Sequence, residues 1–182
     1  MNAKAKLLLQ LLVAAGIELI VYIFLHESGH ALVAVCCGAE IVSFQIIGAS
    51  VTSVGGTYTP FTESLRLLAG MALPLLVSAC YMLFVYRNNK TGQFYRIFSI
   101  FFSITPILSL LAWVLVPFAY LAGDTNASDD VIQFLNASAL HPLLVVLLAL
   151  VLLCGLMLLF WKKRLPQAWL DLICALKKQS PS

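Results

Sequence analysis

The sequence predicts an all-α polytopic membrane protein, with four transmembrane helices in a single integral membrane domain over residues 1–182. Three observations carry this. Hydrophobic residues make up 62% of the chain and charged residues 10%, against roughly 45–50% and about 25% in soluble domains. Apolar runs long enough to cross a hydrocarbon core of about 30 Å recur along it. Lys and Arg fall between these runs in an order that orients them. A water-soluble globule is excluded. With a net charge of +3 and no basic stripe interleaved with aromatics, a nucleic-acid partner is not expected.

The first run starts at Leu7 and continues through His26-Glu27-Ser28-Gly29-His30 to Cys37. It is too long for a signal-peptide core and lacks a small-residue cleavage site, so it reads as a retained helix over about 7–37. From Gly38 to Pro60 the chain changes to β-branched and aromatic residues punctuated by glycine, including Ile41–Ile47, Val51–Val54 and Gly55-Gly56. This predicts a short extracytoplasmic β-hairpin or strand segment over about 40–59, between helices one and two. Further helices are predicted over about 63–86, 94–121 and 131–161, with Pro74, Pro106, Pro117 and Pro142 kinking or bounding them. Residues 167–178, from Gln167 through Trp169 to Lys178, read as an amphipathic helix on a membrane surface. Cys36, Cys37, Cys80, Cys154 and Cys174 form no CxxC pair and suggest neither a disulfide framework nor a cysteine zinc site.

Lys4 and Lys6, then Arg87, Lys90 and Arg96, then Lys162, Lys163 and Arg164 all fall on one side of a four-helix topology. Basic residues in short loops are retained on the cytoplasmic side. Both termini are therefore expected in the cytoplasm of a multi-pass cell-membrane protein, with the strand segment and the acidic loop Gly123–Asp130 outside.

His26-Glu27-x-x-His30 is the pattern with a mechanism attached. Two His at i and i+4 share a helix face and can present ring nitrogens to one Zn²⁺, while the adjacent Glu reaches the attacking water as general base. Such ionisable groups are costly at membrane depth and usually serve a function there. Small residues at Ser28 and Gly29 allow a backbone to approach closely. His26 follows Lys6 by twenty residues, a rise of about 30 Å, which puts the site towards the extracytoplasmic leaflet. A catalytic zinc takes three protein ligands, and the acidic loop offers Asp124, Asp129 and Asp130. The alternative role for Asp129 and Asp130 is at a helix start, with Ser128 as N-cap. Glu18 lies near the same face as His26 but deeper; a structural hydrogen bond is its commoner role, as an interfacial position is for His141.

These residues resemble the site-2-protease class of zinc intramembrane metalloproteases, and within it the small M50B-like branch. The resemblance covers His26–Leu32, the Gly55-Gly56-Thr57-Tyr58 turn and Leu67–Gly70, and extends to Ser128–Phe134 with Ser138–Pro142. It implies one Zn²⁺ per chain held by His26, His30 and a later Asp. Spacing to the Ser138–Pro142 stretch favours Asp130, with Asp129 and Asp124 as alternatives. The chain lacks the Asn-x-x-Pro…Leu-Asp-Gly motif of better-known members, so no Asn is assigned to the oxyanion.

The expected activity is zinc-dependent endopeptidase cleavage of a peptide bond within or beside a transmembrane segment of a membrane protein substrate. Glu27 is the expected catalytic base. The strand segment could hold an unwound substrate by β-addition. The alternatives are a catalytically inactive homologue that binds or chaperones a membrane partner, and a metal transport or sensing protein in which Glu18, His26 and His30 line a metal path.

Overall fold

The computed structural model describes residues 3–87, 92–123 and 128–178. Lys90 and Asp124 lie outside the described residues. The first helix, α1, spans Ala3–Cys36, 34 residues, or about 51 Å at 1.5 Å per residue. That exceeds a hydrocarbon core of about 30 Å, so the helix tilts or protrudes. Among the described residues, four helical stretches are long and apolar enough to cross a membrane: Lys4–Cys36, Pro60–Val85, Gln93–Leu121 and Pro142–Lys162. Leu12, Ile20, Leu32, Leu147, Val151 and Leu158 stand exposed on them, as expected where lipid replaces water. The protein is a mostly helical, multi-pass membrane protein with a small two-stranded sheet.

Gly38, at φ 84°, ends α1 in the left-handed region that glycine adopts without strain. The chain then forms a hairpin of β1 (Ala39–Gln45) and β2 (Ser50–Gly55). The strands pair antiparallel from Ala39 opposite Gly55 to Gln45 opposite Ser50, with an irregularity between Ile41 and Ser43. The hairpin turns back along α1, with the Phe44 ring 5.7 Å from that of Phe24. Its tip is thus level with the residues just before His26 rather than beyond the helix end.

The second helix, α2 (Pro60–Cys80), opens with Pro60 in its first turn and a reciprocal Thr59–Thr62 capping box, which satisfies donors that a helix start leaves unpaired. It starts ahead of the expected boundary and continues through a π-helical turn, Tyr81–Val85. The third, α3 (Gln93–Leu121), carries Pro106 and Pro117 inside it. The Ser109 hydroxyl donates to the Pro106 carbonyl at 2.7 Å.

The helix expected over 131–161 is two helices. A short α4 (Asp130–Ser138) ends where Ala139 turns left-handed at φ 53°, and α5 (Pro142–Lys162) begins after His141. The break has a local cause. A residue before proline is pushed out of the helical region, and proline itself suits the first turn of a new helix; His141 is accordingly extended at ψ 131° and its Nδ1 accepts from the Leu143 amide at 3.3 Å. Finally α6 (Leu165–Lys178) buries Leu165 and Ala168 and packs Trp169 against the cluster formed by Ala14 of α1 and Ile97 of α3.

The main core joins four helices: Leu67, Met71 and Leu75 of α2, Leu110 and Trp113 of α3, Val131, Phe134 and Leu135 of α4, and Val145 and Ala149 of α5. Between membrane helices such packing holds through close van der Waals contact rather than water exclusion. Its consequence is positional. The apolar face of α4 is clamped, with Phe134 edge-on to Trp113 at 5.1 Å, and this aims the start of α4 at α1.

Candidate metal centre

On α1, His26 and His30 lie one turn apart and their Nε2 atoms approach to 3.2 Å. Asp130, the first residue of α4, brings Oδ2 to 3.3 Å from His26 Nε2 and 3.2 Å from His30 Nε2. Residues separated by about a hundred positions in the chain thus converge on one point. Among the described residues these three form a group whose donor atoms all lie within 4.8 Å of one another.

Close helix packing and second partners set this geometry. Gly29 faces the backbone of α2 so closely that a Cβ would run into the Ala69 carbonyl, and Gly70 sits against the His30 ring. The Arg66 carbonyl, on α2, accepts a hydrogen bond from His30 Nδ1 at 2.8 Å. A carbonyl only accepts, so Nδ1 carries the proton and a neutral His30 presents the lone pair of Nε2 to Asp130 and His26. Second partners of this kind commonly orient metal-binding histidines. His26 has no equivalent: its buried Nδ1 lacks a partner, and its ring rests between those of Tyr22 at 6.0 Å and His30 at 4.8 Å.

The two aspartates at the start of α4 have separate tasks. Asp129 is the N-cap, its Oδ1 accepting from the Val131 amide at 2.8 Å and the Ile132 amide at 3.2 Å. Ser128, the residue the sequence suggests as cap, precedes it. Asp130 is left to face the histidines. Burial by itself pushes the Asp130 carboxyl up, but when the facing Nε2 atoms carry protons the hydrogen bonds and charge from His26 and His30 outweigh it and hold the group well below the usual carboxylate range.

The donor set fits a tetrahedral metal. Zinc with bonds of about 2.0–2.1 Å spaces tetrahedral ligand atoms about 3.3–3.4 Å apart, close to the separations of 3.2, 3.2 and 3.3 Å seen here. Two imidazoles and one carboxylate are also ligand types zinc takes. With Nδ1 of His30 already protonated, the facing lone pairs of Nε2 and Oδ2 repel unless a proton or cation lies between them. His30 is buried at 7% side-chain exposure while His26 and Asp130 keep 25% and 33%, so the cluster is closed on one side and open on the other. The open side is a cleft of about 310 Å³ whose lining includes Tyr22, His26, Ser109, Trp113, Asp129 and Asp130. Glu27, next to His26, is buried at 4% exposure.

Other residues singled out in the sequence lie elsewhere. His141 caps α5, and Glu18 is buried with its carboxyl hydrogen-bonded to Thr105 of α3. The sequence reading missed Gly70 as the seat of the His30 ring and the Arg66 carbonyl as its partner. It also missed Tyr22, although its spacing, one turn before His26, puts it on the same helix face.

Fold and cluster together define a multi-pass membrane protein with a two-His, one-Asp centre between its helices. The chain belongs to the Peptidase M50B-like family, whose model matches residues 7–124. That match takes in the His26–His30 segment, the hairpin, α2 and α3 but stops short of Asp130, so the place of Asp130 rests on the geometry. No curated protein and no solved structure matches the chain.

Proposed function

We propose that this protein is a zinc-dependent intramembrane endopeptidase that hydrolyses a peptide bond in or beside a transmembrane segment of another membrane protein. The observation that carries the reading is the convergence of His26, His30 and Asp130 beside Glu27, in a membrane-embedded chain of a peptidase family. His26 and His30 through Nε2 and Asp130 through Oδ2 hold one Zn²⁺ per chain. Zinc bound there supplies a Lewis acid, lowering the pKa of a water and polarising the amide carbonyl. Glu27 takes the proton from the attacking water and delivers it to the leaving amine. The Arg66 carbonyl keeps His30 in the tautomer that offers Nε2. Charge placement supports cytoplasmic termini, a cell-membrane location and a site towards the extracytoplasmic leaflet. The hairpin, folded back beside α1, offers a strand edge to an unwound substrate.

The test is Glu27→Gln, which keeps the side chain's size and removes its basicity. Zinc content by mass spectrometry stays at the wild-type level while cleavage of a membrane-protein substrate falls by roughly 10²–10⁴-fold. Proteolysis at the wild-type rate in that variant overturns the reading.

A further inference from the structure

We infer that Tyr22 is the hydrogen-bond donor for the oxyanion that develops on the substrate carbonyl; this rests on the hydrolytic reading above and adds a residue to it. Peptide hydrolysis puts negative charge on the carbonyl oxygen, and a donor already aimed at that position is among the strongest contributions a protein makes to such a step.

Elimination within the cleft points to Tyr22. Asp129 and Asp130 are acceptors, and Asp129 is committed to the α4 amides. The Ser109 hydroxyl donates to the Pro106 carbonyl. Ser128 has a partner of its own. Trp113 is packed into the core against Phe134. Met71, Ala112 and Val131 complete the lining and carry no side-chain donor. Tyr22 remains, on the wall that also holds His26 and Asp130.

Its placement suits the task. The Tyr22 ring lies 6.0 Å from the His26 ring, centroid to centroid, and its hydroxyl contacts Ser109. Because the Ser109 proton goes to the Pro106 carbonyl, the Tyr22 hydroxyl is the donor in that contact and Ser109 Oγ the acceptor. A neutral hydroxyl is a weak acceptor compared with an oxyanion, whose charge-assisted hydrogen bonds are roughly twice as strong. Rotation about the phenol C–O bond then moves the donor from Ser109 to the substrate while α1 and α3 stay in place. No covalent bond of Tyr22 changes and its proton stays on the phenol oxygen.

The experiment measures binding as well as turnover, on full-length protein purified in detergent and loaded with zinc. The probes are a Leu/Ala-rich phosphinic peptide, tetrahedral and anionic at the cleavage position, and the amide peptide of the same sequence. Wild type binds the phosphinic peptide at least about 100-fold more tightly than the amide. Tyr22→Phe keeps the ring and the zinc content, binds the amide as wild type does, and loses about 100-fold of its phosphinic affinity. Ser109→Ala, which removes the resting acceptor together with the bond to the Pro106 carbonyl, stays within about threefold of wild type for both probes.

Wild-type phosphinic affinity in Tyr22→Phe overturns the inference alone. So do loss of zinc, equal weakening of both peptides, or a Ser109→Ala deficit as large as that of Tyr22→Phe, since each marks a structural contact between α1 and α3. A zinc-loaded wild type that shows no preference for the phosphinic peptide overturns the hydrolytic reading, and this inference falls with it.

Discussion

Gly70 lies directly against the imidazole of His30, so that a Cβ on Gly70 would occupy the space of the ring. The Arg66 carbonyl holds Nδ1 of the same ring at 2.8 Å, one helical turn away along α2. The ring is therefore pinned at two points and cannot give way to a methyl group without turning Nε2 off Asp130. Gly70→Ala is expected to lower zinc content well below that of wild type and to destabilise the fold by roughly 1–3 kcal/mol, the usual cost of overpacking. Gly155→Ala is the control, because nothing lies within 4 Å of a Cβ there. Wild-type zinc content in Gly70→Ala would show that the ring is not seated as described.

Gly29 has the complementary part on α1. A Cβ there runs into the Ala69 carbonyl, which is backbone and has no rotamer to adopt. Gly29→Ala must push α1 and α2 apart, and the His30–Arg66 bond is stretched with them. A thermal unfolding midpoint several degrees lower in detergent, with a matching loss of zinc, is the expected result. Ser28→Ala serves as the comparison, since the smaller side chain adds no volume at this half-buried position, and leaves both quantities close to wild type.

The helices and the His26–His30 pair were legible in the sequence because both depend on local pattern: apolar length for the spans, i,i+4 spacing for the shared face. Three things were not. The break at Ala139–His141 sits inside an otherwise continuous apolar run, so hydropathy joins α4 to α5 although Pro142 and the left-handed Ala139 separate them. The direction of the hairpin depends on its contact with α1, Phe44 on Phe24, and strand pattern carries no such information. The choice between Asp129 and Asp130 depends on which carboxyl turns back to the α4 amides, and adjacent acidic residues look alike until the helix start is located.

That division of labour predicts opposite outcomes for neighbouring substitutions. Asp129→Ala removes the cap and costs about 1 kcal/mol of stability, but the histidines keep their carboxylate and zinc remains bound. Asp129→Asn keeps an acceptor at the cap and is nearly neutral. Asp130→Asn leaves the cap intact and replaces a charged ligand atom by a neutral amide, so zinc content drops while the helix start survives. Metal analysis and thermal unfolding on the three variants separate the roles. Zinc loss in Asp129→Asn with retention in Asp130→Asn would reverse the assignment.

Ala139 offers a stabilising change. At φ 53° it occupies a region in which a Cβ costs roughly 1–2 kcal/mol, and glycine removes that strain while adding some backbone entropy to the unfolded chain. Its amide donates to the Leu135 carbonyl at 3.1 Å, a helix-closing bond that glycine preserves. Ala139→Gly is expected to raise stability by several tenths to about 1 kcal/mol, read as a higher thermal midpoint, with zinc content unchanged. A lower midpoint would mean that the turn between α4 and α5 is held by the methyl group rather than strained by it.

The pH dependence of metal retention follows from which ligands can take up a proton. Asp130 is held well below the usual carboxylate range by the two histidines, so between about pH 5 and 8 it stays ionised and does not compete. His26 and His30 must each offer a lone pair to a metal, so a proton on either ring competes with the metal for it. Where both rings are protonated in the metal-free protein, each zinc bound displaces one proton from each ring, and apparent affinity falls by up to about 100-fold per pH unit, the limiting slope for two protons. Zinc competition against a chelator across that range reads the slope directly. A limiting slope of two supports a site of two histidines and a permanently ionised carboxylate. A slope of one would remove one histidine from the metal, and a slope of three would require a further group that titrates in the same range.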